Sequence, residues 1–259
     1  MMRLLAGIGA WVRQWLADVG HAALLFLRLL WLGPACLRRF GLVRDQMHFL
    51  GNHSLAIIAV SGLFVGFVLA LQGYNTLQRF GSASALGLLV ALSLVRELGP
   101  VVSALLFTGR AGTSLTAEIG LMKAGEQLSA MEMMAIDPVS RILAPRFWAG
   151  VLVMPILGTV FSAVGIVGGW LVGVVMIGVD AGSFWGQMQD GVDVWSDVGN
   201  GFIKTVVFGL TVSFIALRQG FEAQATPEGV ARATTRTVVM ASLTVLALDF
   251  VLTALMFKL

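Results

Sequence analysis

Arg96 and Glu97 stand side by side in LVRELGP (94–100), inside a run that otherwise reads like hydrocarbon, and Lys204 and Asp249 sit in two further apolar runs. Ionisable side chains so placed could neutralise one another between helices, meet a polar headgroup during passage of a substrate, or relay protons. A lone charge at a bilayer centre costs about 2.5–3.5 kcal/mol even on insertion scales, so four unpaired ones would consume a stability of ordinary size. The four formal charges sum to zero, which favours pairing or hydration. Adjacent residues point about 100° apart around a helix, so Arg96 and Glu97 are poorly placed to pair with each other. At 1.5 Å per residue, Arg96 lies about 15 Å from the outer end of its run and Asp249 about 12 Å from the outer end of its own. Arg96 with Asp249 is therefore the first expected pair. Glu97 with Lys204 follows by elimination, although Lys204, nearer the outer surface, could snorkel instead.

Gly99 and Pro100 interrupt the same run, so a bend is expected about where Glu97 sits. Irregular backbone inside a membrane is tolerated where it is packed in protein or lines a cavity, which fits a binding site near residues 96–98. Other chemistries find little support. His48 and His53 lack Cys or acidic company at ligand spacing and His21 is isolated, so no metal site is expected. No nucleophile elbow occurs, and no G-x-x-x-x-G-K-[ST] loop that could cradle ATP phosphates. Cys36 is the one cysteine, which rules out an intrachain disulfide.

The elements that must position these charges follow from composition. Of 259 residues, 58% are hydrophobic and 12% charged, and the mean hydropathy is +0.89, which indicates an all-α integral membrane protein. Runs long enough to cross a bilayer, about 20 residues, occur at 49–74, 86–107, 147–179, 199–217 and 237–257, giving five transmembrane helices in one membrane domain over 1–259. Arg38, Arg39 and Arg44, then Arg110, Lys123, Arg141 and Arg146, then Arg218, Arg232 and Arg236, gather in alternate loops. By the positive-inside rule those loops and the N-terminus are cytoplasmic and the C-terminus is outside. The net charge of +3 thus reports orientation and not nucleic acid. Leu4, Leu5, Ile8, Trp11, Val12, Trp15, Leu16 and Val19 form one apolar stripe opposite Arg3, Gln14 and Asp18, which predicts an amphipathic interfacial helix continuing as an elbow through 21–32. Region 1–46 is therefore interfacial and 47–259 a bundle. Gly62 and Gly66, and the glycines of the third run, suit close helix packing, and Pro155 could kink or tilt that run.

Between the second and third runs lies a cytoplasmic stretch, 111–138, in which Leu128, Met131, Met133, Met134 and Ile136 stand among acids and should form a helix ended by Asp137 and Pro138. Outside the bilayer such methionines make an adaptable surface suited to docking on a partner. LVRELGPVVSALLFTGRAGTSLTAEIG, EQLSAMEMMAIDP and PRFWAG, together with LQGY, RATTRTVV and DFVLTALMF, resemble the MlaE (YrbE) permeases of lipid-transporting ABC systems, over nearly the whole chain.

The resemblance implies a homodimeric permease in the bacterial inner membrane that moves glycerophospholipids between inner and outer membranes and so maintains outer-membrane lipid asymmetry. Its implied partners are a dimeric cytoplasmic ABC ATPase that binds ATP and Mg, a STAS-domain subunit and a periplasmic hexamer of MCE-domain subunits. The chain itself would need no cofactor and would not be an enzyme. Residues 118–137 would be the coupling helix, with Glu118, Lys123, Glu126, Leu128, Met131, Met133, Met134 and Asp137 meeting the ATPase. A lipid cavity at the dimer centre maps onto Leu69, Tyr74, Leu77, Phe80, Arg96, Glu97 and Leu98. Phe80 lacks the hydroxyl that a tyrosine would offer a headgroup. Two rival readings are an ion-coupled secondary transporter in which Glu97 and Asp249 titrate, and a structural anchor that moves no lipid.

Overall fold

The computed structural model describes the backbone at residues 2–38 and 40–256, with side chains at those positions except 2–11, 15, 35, 37 and 38. Among the described residues the secondary structure is entirely helical. Five helical stretches are long and apolar enough to cross a membrane: Phe40–Arg79, Ala83–Ala124, Val139–Met176, Val194–Glu222 and Pro227–Met256. Each encloses its predicted run or nearly so, and most extend well beyond it, because helix continues past the apolar limit wherever neighbouring helices still cover one face. Linkers of a few residues, after Arg79 and after Glu222, turn the chain back on itself, so the spans on either side of each run antiparallel.

The N-terminal segment is one helix, α1 (Met2–Trp31), followed by a short α2 (Gly33–Arg38). Of the predicted stripe, Leu4, Leu5, Ile8, Trp11 and Trp15 lie outside the described side chains, while Val12, Leu16 and Val19 are exposed. Among the described side chains of α1, those that dock lie in its second half: Leu29 is fully buried, and Phe26 sets its ring edge-on to Phe147 and Phe214.

The first span, α3 (Phe40–Arg79), packs along most of its length against α8 (Ala144–Trp170), the start of the third. The glycine spacing makes this possible: a Cβ at Gly66 would collide with the Gly165 carbonyl and one at Gly62 with the Phe161 carbonyl. Pro155 sits inside α8 without ending it.

The second span is built in pieces, α4 (Leu86–Ser93), a π-helical turn (Leu94–Leu98), α5 (Gly99–Phe107), a second π turn (Thr108–Gly112) and α6 (Thr113–Ala124). The bend expected at Gly99 and Pro100 is realised as the first π turn, in which the Gly99 N–H reaches back five residues to the Leu94 carbonyl. The stretch 111–138, expected to be cytoplasmic, divides into α6 and α7 (Gln127–Met133), joined at Glu126, whose φ is 56°. Beyond a hairpin helix α9 (Ala181–Gly191), the fourth span begins with a π turn (Val194–Val198) and continues as α10 (Gly199–Glu222); the fifth is α11 (Pro227–Met256). α6, α10 and α11 meet at a buried junction where the hydroxyls of Thr116 and Thr237 lie 2.8 Å apart and Thr116 also reaches the Ala216 carbonyl at 3.0 Å. α11 otherwise leaves most of its apolar surface uncovered, including Leu243, Leu246 and Phe250.

Candidate functional site

The π turn at Leu94–Leu98 presents the adjacent charges to different neighbours. Arg96 does not meet Asp249. Its Nε donates to Asp197 Oδ1 at 2.8 Å, and its Nη2 lies 2.6 Å from the same oxygen. Asp197 is buried in the π turn that opens the fourth span, and its second oxygen accepts the Asp193 N–H at 3.0 Å. The expected Arg96–Asp249 pair is therefore corrected: equal depth was matched along the membrane normal, but direction around the helix selects the partner. Asp197 stands before the apolar run expected at 199–217, yet one extra helical turn brings it into the packed bundle. Asp193 caps that turn through the N–H groups of Trp195 and Ser196, which hold its carboxyl below the usual carboxylate range.

Glu97, turned away from Arg96, faces Lys204 of α10. Lys204 does not snorkel to the surface; its side chain is 0% exposed. The ammonium lies 2.9 Å from Glu97 Oε2, 3.0 Å from Asp249 Oδ1 and 2.7 Å from Thr253 Oγ1. It also donates to the Arg96 carbonyl at 3.0 Å. The last contact has a covalent cause: Pro100 has no N–H to return to the carbonyl four residues earlier, so a cation takes it. These four acceptors compete for three ammonium hydrogens, and the Thr253 hydroxyl in turn donates to Glu97 at 3.2 Å. Gly201 permits this closeness, since a Cβ there would strike the Val95 carbonyl of the π turn. Elimination pairs Lys204 with Glu97, as observed, but does not bring in Thr253 and Asp249, which reach the same ammonium from the fifth span.

With Asp197 included, the site carries two cations and three carboxylates. Glu97 is its most open carboxylate, with 39% of its side chain exposed against 20% for Asp249 and 1% for Asp197. The cavity beside the π turn, bordered by Val95, Ser162, Phe202 and Thr205, has a volume of about 50 Å³, room for water and not for an acyl chain. A larger ligand would meet Glu97 from its open side. Of the residues mapped there, Leu69, Tyr74, Leu77 and Leu98 are half-buried against the core, and Phe80 is exposed just past the end of α3.

The coupling candidates separate into two sets. Glu118 binds Arg146 of α8 at 3.2 Å, Lys123 donates to the Phe221 carbonyl at 2.7 Å, and Asp137 pairs with Arg28 at 2.9 Å while accepting the Val139 and Ser140 N–H groups. Leu128 is buried and Met131 packs against the core, which corrects the expectation that every one of these residues faces a partner: on a short amphipathic helix the inward face must cover the bundle. Glu126, Met133 and Met134 remain exposed, with Ile136 beside them. No cluster of three or more His, Cys, Asp or Glu able to hold a metal occurs among the described residues.

The sequence matches the family model described as Permease MlaE over residues 43–255. It is 55% identical to the intermembrane phospholipid transport system permease protein of Haemophilus influenzae over 257 residues, 99% of this chain and 98% of that one. A probable ABC transporter permease of Rickettsia typhi is 36% identical over 84% of this chain and 83% of its own. The chloroplastic protein TRIGALACTOSYLDIACYLGLYCEROL 1 of Arabidopsis thaliana is 29% identical over 83% of this chain and 61% of its own. Five apolar spans knotted by one buried lysine, and a family match that begins at Val43 and ends just past Thr253, describe the same unit: the chain is a multi-pass membrane protein of the MlaE permease family.

Proposed function

We propose that the chain is the membrane subunit of an ATP-driven transporter that moves glycerophospholipids between the inner and outer membranes. The observation that carries this reading is the Glu97–Lys204–Asp249–Thr253 cluster, neutralised from within and open on one side at Glu97, in a chain so similar to a named phospholipid transport permease. An apolar surround suits acyl chains, and a partly exposed carboxylate backed by a buried cation suits a polar headgroup. Because the cavity beside the ion cluster is water-sized, a lipid chamber at Glu97 would form against a second copy. The uncovered apolar face of α11 supports such a dimer. The Rickettsia relative, named a probable ABC transporter permease, does not favour the ion-coupled alternative.

Energy would come from a dimeric ATPase binding ATP and Mg, docked where Glu126, Met133, Met134 and Ile136 are exposed. Force would pass from α7 into α6, and from α6 through Glu118–Arg146, Lys123–Phe221 and the Thr116–Thr237 contact into α8, α10 and α11. The STAS-domain and MCE-domain partners, the placing of the chain in the inner membrane, the N-terminus in the cytoplasm and the interfacial role of α1 rest on the resemblance and on the basic loops. The test is reconstitution of the permease with its ATPase and periplasmic partners, following labelled phospholipid with and without ATP. Transfer that needs ATP supports the proposal. Transfer driven by a proton gradient alone, or normal transfer when bulky side chains replace Leu69 and Leu98, overturns it.

A further inference from the structure

A second cavity, of about 280 Å³, lies at the end of the bundle where α3 and α8 begin, away from the ion cluster. Its walls include Leu30 of α1, Pro34 of α2, Phe40 and Val43 of α3, and Trp148 and Leu152 of α8. The indole N–H of Trp148 is already spent on the Leu29 carbonyl at 3.1 Å, so among the described residues no wall side chain offers a charged or strongly polar group. Such walls suit an alkyl chain and would leave the polar groups of a peptide or sugar unpaired. An α-helix, about 10 Å across, is too wide for the space. Around the mouth the apolar surface continues through Leu27 and Trp31 of α1 and Ile156 of α8, all exposed, so bilayer chains are the adjoining solvent.

The rim is basic. Arg44 follows the wall residue Val43, and its largely exposed guanidinium contacts Asp45 next to it, at 3.2 Å. Arg141 is exposed in the π turn Val139–Leu143 that feeds α8, seven residues and about 10 Å before Trp148. Arg28, nearby on α1, is already paired with Asp137. A chain in the bilayer is out of water before it enters the groove, so entry gains packing and not hydrophobic free energy. Retention then depends on what the guanidinium groups hold at the surface, and a phosphodiester complements them.

We propose that this groove holds one acyl chain of a phospholipid from the leaflet surrounding the start of α3 and α8, with its phosphate against Arg44 and Arg141, as a resident lipid separate from the site at Glu97. The proposal does not rest on the transport reading. The test uses the full chain with its partners in nanodiscs of phosphatidylethanolamine and phosphatidylglycerol, doped with phosphatidylglycerol carrying a diazirine in its tail. Photolabel is expected on peptides containing Phe40, Val43, Trp148 and Leu152. Leu152→Trp, at a partly exposed position, should fill the groove and cut that label at least about fivefold while label near Thr253 stays unchanged. Arg44→Gln with Arg141→Gln should cut groove labelling by phospholipid at least about fivefold and leave labelling by an uncharged diazirine-bearing diacylglycerol unaltered. Absence of groove label, or label indifferent to Leu152→Trp, overturns the site; phospholipid label indifferent to both arginines overturns the phosphate contact. Should Leu152→Trp disturb assembly, Cys36 on the groove wall reports in the unaltered chain. Its alkylation by N-ethylmaleimide should be at least about threefold slower in nanodiscs than after delipidation, because access governs thiol reactivity, and equal rates overturn the site.

Discussion

Lys204→Met removes one ammonium and leaves two carboxylates facing each other, and the Arg96 carbonyl loses this donor. Removing one partner of a buried ion pair costs about 3–5 kcal/mol. Because 39% of the Glu97 side chain is exposed, water can solvate part of what remains, which places the expected loss near the low end, about 3 kcal/mol. For a chain of this size each kcal/mol moves Tm by about 2–4 °C, so the variant should melt about 6–12 °C lower. Tryptophan-emission melting in a fixed nanodisc composition measures this. The physical cause is tested by adding Glu97→Gln: once the cation is gone, removing a charge relieves repulsion, so the double variant should lose less than the two singles together by about 0.5–3 kcal/mol. A Tm within about 2 °C of the parent chain for Lys204→Met, or strict additivity in the double, would refute the view that this lysine neutralises the cluster.

A double-mutant cycle between Arg96→Gln and Asp197→Asn should show a coupling of about 0.5–3 kcal/mol, whereas the cycle of Arg96→Gln with Asp249→Asn should be additive within about 0.5 kcal/mol; the reverse pattern would restore the pairing expected from depth. Gly66→Leu should separate α3 from α8, costing about 1–3 kcal/mol or more by overpacking, read as a lower Tm and faster proteolysis; an unchanged Tm would show that the two backbones do not touch in the membrane. Asp193 has a folded pKa below its unfolded one, so its capping contribution is complete above the unfolded value near 3.9 and is lost as pH falls through the folded value. Asp193→Asn should therefore lose part of the stability difference between neutral and acidic pH, and a variant whose pH dependence matches the parent would count against the cap.

The interior charges were legible because apolar runs leave few places for an ion to hide, and the glycine pattern of α3 announced its contact with α8. The division of α7 was less legible: methionines spaced along an acidic stretch do not say which of them turn inward, and Met131 packs inward while Met133 does not. Phe80 likewise gave no sign of its exposure. Asp197 and Thr253 were missed altogether, the first because it stood among outer acids and the second because a threonine in an apolar run carries no charge to mark it. Hydropathy fixes how deep a residue lies along the membrane normal, since length and transfer free energy are additive along the chain, and so composition and order determined five spans and four buried ions. Which way each ion points is decided by helix rotation and neighbour packing, which are not additive. A π turn before Pro100 and an extra turn before α10 were enough to hand Arg96 to Asp197 and to give Lys204 both of the remaining carboxylates.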